Sequence, residues 1–136
     1  MVVTDGVFSM DGDVANLPEL LRLTKKYNAL LLIDDAHATG IIGEGGAGTL
    51  SYFGITERDN IIVTGTLSKA IGTVGGFITA SQKIIDYLRV YARSICTRQL
   101  CLKVSALPPM RCCRILKNIR NRERPSTEII IMCVHD

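Results

Sequence analysis

The chain has 136 residues, 47% hydrophobic and 21% charged, with a formal net charge of +3. That is enough apolar content for the core of one domain, and no apolar run approaches the ~18 residues a membrane span needs. The charge excess lies at one end: residues 1–97 hold 8 basic and 10 acidic side chains, residues 98–136 hold 8 and 3. A nucleic-acid partner is therefore not expected for the body of the chain.

Met1-Val2-Val3-Thr4-Asp5-Gly6 opens with a short apolar run that reads as a strand. It has no basic region and no long apolar region, so no signal peptide is expected and the cytoplasm is the default location. Ser9-Met10-Asp11-Gly12 reads as a loop, because Asp-Gly and Ser favour turns. Leu17, Leu20, Leu21, Thr24 and Tyr27 recur at helical spacing and predict a helix over 17–27. Pro18 suits its first turn, Lys25 and Lys26 its last, and Asn28 its end. Ala29 to Ile33 is a continuous apolar run, read as a buried strand that completes a β-α-β unit. The strand runs into Asp34-Asp35-Ala36-His37. Asp34-x-x-His37 could hold a metal, but no third ligand stands at a recognisable spacing, and none is expected.

Gly43-Glu44-Gly45-Gly46-Ala47-Gly48 reads as flexible. It lacks the Gly-Lys-Ser/Thr ending of a phosphate loop. Ile61 to Thr64 predicts another strand, followed by Gly65-Thr66-Leu67-Ser68-Lys69-Ala70-Ile71-Gly72-Thr73-Val74-Gly75-Gly76. In that stretch the glycines permit close backbone approach, and hydroxyls and N–H groups can hold a phosphate. A lysine withdrawn from bulk water there can form a Schiff base. Phe77 to Ala80 reads as a strand. Ser81 reads as the N-cap of a helix from Gln82 to about Arg93, with Ile84, Leu88 and Tyr91 on its packed face. All five cysteines, Cys96, Cys101, Cys112, Cys113 and Cys133, fall late in the chain without a Cys-x-x-Cys pair.

In open α/β sheets ligands bind beyond the carboxyl ends of strands, which places Asp34 and Lys69 where a ligand would sit. Four segments together resemble the α-oxoamine synthases, pyridoxal 5'-phosphate enzymes of the aspartate-aminotransferase fold. They are Ser9-Met10-Asp11-Gly12, Asp34-Asp35-Ala36-His37, Gly43 to Gly48, and Thr66-Leu67-Ser68-Lys69. The resemblance covers residues 2 to about 96. Ala47 stands where that family usually carries arginine. Ser105-Ala106-Leu107-Pro108-Pro109 matches a later family segment, displaced by the intervening Thr97 to Val104.

The resemblance implies a three-layer α/β/α fold, part of the large domain of a fold-type I transferase, over residues 1–96. Residues 97–136 are expected to be a divergent basic, cysteine-rich tail of uncertain structure. It implies that Lys69 holds the cofactor covalently and later acts as a general base, and that Asp34 pairs with the pyridine nitrogen. His37 would reach the ring's phenolic oxygen, Ser9 would hydrogen-bond near the ring, and Thr66 would bind the phosphate. Asp35 is expected to be structural. The implied reaction joins an amino acid to an acyl-CoA, of the glycine C-acetyltransferase or 8-amino-7-oxononanoate synthase type, in a homodimer, and as a fragment of such an enzyme the 136-residue chain is expected to have little activity alone. Two alternatives share these residues: an aminotransferase or lyase of the same fold, and a non-catalytic fragment that binds cofactor or dimerises. The opening inside a sheet leads one to expect uncovered strand edges.

Overall fold

The computed structural model describes residues 1–72 and 75–92 and the backbone of residues 127–132. The expectations for Thr97–Val104, for Ser105–Pro109 and for the five cysteines lie outside the described residues. Five strands and three helices are described: β1 (Val2–Asp5), α1 (Leu17–Lys26), β2 (Leu31–Asp34), α2 (Thr49–Tyr52), β3 (Ile61–Thr66), β4 (Gly76–Ser81), α3 (Gln82–Tyr91) and β5 (Thr127–Met132).

The helix read from the spacing of Leu17, Leu20, Leu21 and Thr24 is α1. Asn16 caps it, its carboxamide oxygen accepting from the Glu19 N–H at 3.4 Å. Lys25 and Lys26 occupy the last turn, where cations complement the helix dipole. Asn28 turns the chain out with a left-handed φ of 48°, and the apolar run that follows becomes β2.

The sheet order is β1-β2-β3-β4-β5. The first three strands are parallel, with Val2 opposite Leu31 and Leu31 opposite Ile61. β4 returns antiparallel to β3, with Thr66 opposite Gly76. Successive residues alternate between the faces. Leu31, Ile33, Ile61 and Val63 pack with Leu17, Leu21 and Leu50 from α1 and α2. Leu32, Ile62, Ile78 and Ala80 pack on the opposite face with Ile84 and Ile85 of α3. Helices thus cover both faces, and the expected three-layer α/β/α arrangement is the one observed.

Two expectations are corrected, and a third holds in position only. α3 turns Ile85 fully inward, while Tyr91 is exposed and Ile84 and Leu88 are half-buried. Its packed face is rotated from the Ile84–Leu88–Tyr91 line because the sheet offers Ile62 and Ala80 as its floor. Ser81 occupies the N-cap position without a side-chain capping bond. The sheet edge at β4 is not uncovered: Thr127–Met132 pairs with it antiparallel, Phe77 opposite Ile131. β1 pairs only with β2 among the described residues.

The parallel register puts the carboxyl ends of β1, β2 and β3 side by side, with Asp5 opposite Asp34 and Asp34 opposite Thr64. The amino end of β4 meets the same edge at Gly76. The segments carrying Ser9, His37 and Lys69 all leave the sheet there. Among the described residues no helix is long and apolar enough to cross a membrane.

Candidate active site

Asp34 ends β2 half-buried, and its Oδ1 accepts the Ala36 N–H at 2.9 Å. This Asx-type bond bends the chain as it leaves the sheet. The next residue fixes the bend. The Asp35 N–H donates across to Thr64 O on β3 at 2.7 Å, and its carbonyl accepts from the Ala38 and Thr39 N–H groups at 3.0 and 2.8 Å. His37 rides on this turn.

Lys69 comes from the neighbouring strand, three residues beyond the end of β3. Its Nζ lies 2.7 Å from His37 Nε2, a contact that spans 32 residues of sequence. A hydrogen bond needs one donor and one lone pair, so either the ammonium donates to a bare Nε2 or a neutral amine accepts from Nε2–H. Lys69 is exposed rather than withdrawn from water, as are its neighbours Ser68 and Ala70 in the bend that follows β3. Thr66 lies at the base of that turn, its Oγ1 2.8 Å from Ser68 Oγ and 3.2 Å from both the Ser68 N–H and the Gly75 carbonyl. The Leu67 N–H donates to the same carbonyl at 2.9 Å. Two hydroxyls and a lysine therefore stand together at one mouth of the sheet.

Ser9 is placed apart. It lies exposed in a turn closed by the Val7–Val14 bridge and by the Phe8 N–H to Asp13 carbonyl bond. Among the described residues it makes no hydrogen bond to Asp34, His37, Thr66 or Lys69.

The Gly43–Gly48 segment, expected to be flexible, forms a defined loop. Gly43, Gly45, Gly46 and Gly48 adopt positive φ, and the Gly40 N–H to Gly46 and Gly48 N–H to Ile42 carbonyl bonds close it. Its far end meets a group that sequence reading did not find. Thr49 is fully buried; its hydroxyl donates to Asp35 Oδ1 at 2.6 Å and its N–H to Asp35 Oδ2 at 2.9 Å. Asp35 is only 2% exposed. Burial, the largest influence, holds its carboxyl above the ordinary carboxylate value. The Thr49 bonds work in the opposite direction, and the charge of Asp34 adds to the rise. Gly6 and Gly48 wall this carboxylate in: a Cβ on Gly6 would overlap Oδ1, and one on Gly48 would overlap Oδ2.

Fold and side chains together define an α/β domain in which a lysine, an imidazole, an aspartate and paired hydroxyls stand on adjoining strand ends at one edge of the sheet. The chain belongs to the aminotransferase class I and II family, whose model matches residues 1–108. It is 50% identical over 95 residues to a serine palmitoyltransferase of Sphingobacterium spiritivorum, covering 70% of this chain and 24% of that one. It is 55% identical over 89 residues to 8-amino-7-oxononanoate synthase 1 of Bacillus subtilis (strain 168), covering 65% and 22%. Both relatives are α-oxoamine synthases. The chain thus spans about a quarter of the length of the curated relatives it matches. A solved serine palmitoyltransferase carrying its pyridoxal phosphate internal aldimine superposes with a TM-score of 0.62 at 34% identity, over 89% of this chain and 29% of that one. The fold is that of part of the large domain of fold-type I enzymes.

Proposed function

We propose that this chain carries the cofactor-binding core of a pyridoxal-phosphate-dependent α-oxoamine synthase, which joins an amino acid to an acyl-CoA. One observation carries the reading: Lys69 Nζ meets His37 Nε2 at 2.7 Å, at the sheet edge where β2 ends in Asp34 and β3 in Thr66. The chemistry of this donor set fits the group. An amine suits an aldehyde carbon, a carboxylate a pyridinium nitrogen, an imidazole a phenolic oxygen, and a hydroxyl pair a phosphate.

Bound there, pyridoxal phosphate supplies an electron-poor ring that accepts the electron pair left on an amino acid's α-carbon. Each residue has a distinct part. Lys69 would hold the cofactor covalently, and its amine, when free, would take the α-proton as general base. Asp34, with Oδ1 committed to the Ala36 N–H, has its other oxygen left to pair with the ring nitrogen and would keep that nitrogen cationic. His37 donates toward the phenolic oxygen and sets the approach of Lys69. Thr66 and Ser68 offer hydroxyls to the phosphate. Ser9 completes the set only if its exposed turn folds over the ring. The proposed setting is a cytoplasmic homodimer, with the amino acid and the acyl-CoA as the two substrates.

The identities of the relatives favour an acyltransferase over the aminotransferase or lyase alternative. The assay is release of coenzyme A thiol when a protein containing residues 1–92 in the length of its relatives receives pyridoxal phosphate, an amino acid and a set of acyl-CoAs. Thiol release that depends on the amino acid, and that Lys69→Ala abolishes, supports the reading. Transfer of the amino group to an oxo acid without thiol release would replace it with an aminotransferase.

A further inference from the structure

We propose that Asp35 is a positioning residue for His37: clamped by Thr49, its side chain fixes the turn that sets the imidazole against Lys69. The role deepens the functional reading above and rests on it for its catalytic meaning, but the geometry stands by itself.

Asp35 ties together three pieces of the site. Its backbone N–H joins β3, the strand that leads to Thr66 and Lys69, through Thr64 O at 2.7 Å. Its carbonyl holds the His37 turn through Ala38 and Thr39. Its carboxylate takes two bonds from Thr49, 14 residues further on, at the far end of the glycine loop. The two residues are therefore one clamp across the base of residues 36–48. Nothing in it is exposed: Asp35 is 2% and Thr49 0% accessible. Gly6 and Gly48 leave room for the carboxylate and for nothing larger, so its orientation is fixed by backbone on two sides.

A buried carboxylate is a costly way to close a loop. An apolar side chain at position 35 would avoid the desolvation that raises its proton affinity. What the carboxylate supplies is direction, because two bonds from one residue define the plane of the group and with it the rotation of the chain at 35. Asp34 directly precedes that rotation, and His37 follows it two residues on. The Lys69–His37 contact at 2.7 Å has little tolerance, since a displacement of about 1 Å takes a hydrogen bond beyond its working range.

The test reads His37 directly, without cofactor or substrate. The chain has only two histidines, His37 and His135, so ¹⁵N-histidine labelling, with His135→Gln as control, assigns the His37 ring signals. Thr49→Val removes the hydroxyl and keeps the shape; Thr49→Ser keeps the hydroxyl. We expect Thr49→Val to shift the His37 ring signals and to lose the cross-peak between the His37 ring and the Lys69 ε-methylene, while Thr49→Ser retains both. A folded Thr49→Val with unchanged His37 signals, or a Thr49→Ser that loses the cross-peak, overturns the proposal and leaves Asp35 a stabilising residue only. Should Thr49→Val not fold, Asp35→Asn replaces it with the same two outcomes. Because no turnover enters the readout, failure here is distinguishable from failure of the acyltransferase reading.

Discussion

Replacing Gly6 by alanine tests the buried clamp through its packing. Gly6 needs no left-handed φ, so its lack of a side chain is a matter of space alone. An added Cβ would overlap Asp35 Oδ1 and come within 2.6 Å of Thr49 Cγ2 and 2.9 Å of Thr49 Oγ1. The neighbours have little room to retreat, because Gly48 backs the other carboxylate oxygen. Overpacking of a tight interior costs about 1–3 kcal/mol. Weakening one charge-assisted hydrogen bond adds roughly 1.5–3 kcal/mol, so the substitution should cost on the order of 3–5 kcal/mol. Gly12→Ala is the matched control. Nothing lies within 4 Å of its added Cβ, but φ there is +77°, so only backbone strain of about 1–2 kcal/mol applies. The assay is urea unfolding of both variants followed by far-UV circular dichroism. With a slope of about 1–3 kcal/mol per molar urea, the two midpoints should differ by on the order of 1 M, Gly6→Ala being the weaker. Equal midpoints would refute the reasoning, since they would mean that the Asp35 pocket yields at no cost.

Two further outcomes follow from the site. Burial raises the Asp35 carboxyl above its ordinary value, so the folded state binds that proton more tightly than the unfolded state. The stability it contributes is then greatest below the ordinary carboxylate value and falls as pH rises through the raised one. Measured against Asp35→Asn, the wild-type chain should lose relative stability with rising pH across the acidic range; a relative gain would contradict the direction. In the cofactor-loaded protein, Asp34→Asn should retain cofactor absorbance yet slow exchange of the glycine α-proton with deuterated solvent by on the order of 10²–10³-fold, the usual cost of removing one electrostatic stabiliser. Unchanged exchange would remove Asp34 from its role.

Much of this was legible because it is local. A continuous apolar run ending in Asp34, and another ending in the Thr66–Lys69 stretch, marked buried strands that the structure sets side by side. The 3.6-residue spacing over Leu17–Thr24 marked α1 within a residue of its limits. What escaped depends on partners distant in sequence. No local pattern announces that Thr49 donates to Asp35 from 14 residues away; only the folded glycine loop brings them together. The inward face of α3 could not be settled by its own periodicity. Ile84, Leu88 and Tyr91 form a good apolar line, yet the position of Ile62 and Ala80 beneath the helix selects Ile85. The Ile129–Met132 run carries no period that separates strand from helix, and its pairing with β4 becomes visible only once β4 has an open edge. Lys69 was expected to be withdrawn from water, but the bend that follows β3 leaves it exposed.

The central claim is that Lys69 is the residue that carries the cofactor, and covalent trapping tests it most directly. A protein that carries residues 1–92 in the length of its relatives is incubated with pyridoxal phosphate, reduced with borohydride, digested, and mapped by mass spectrometry. A pyridoxyl group is expected on Lys69 at near-stoichiometric level, with only trace labelling at Lys25, Lys26, Lys83, Lys103 and Lys117. Predominant labelling at any other lysine, or labelling spread evenly over them all, would contradict it.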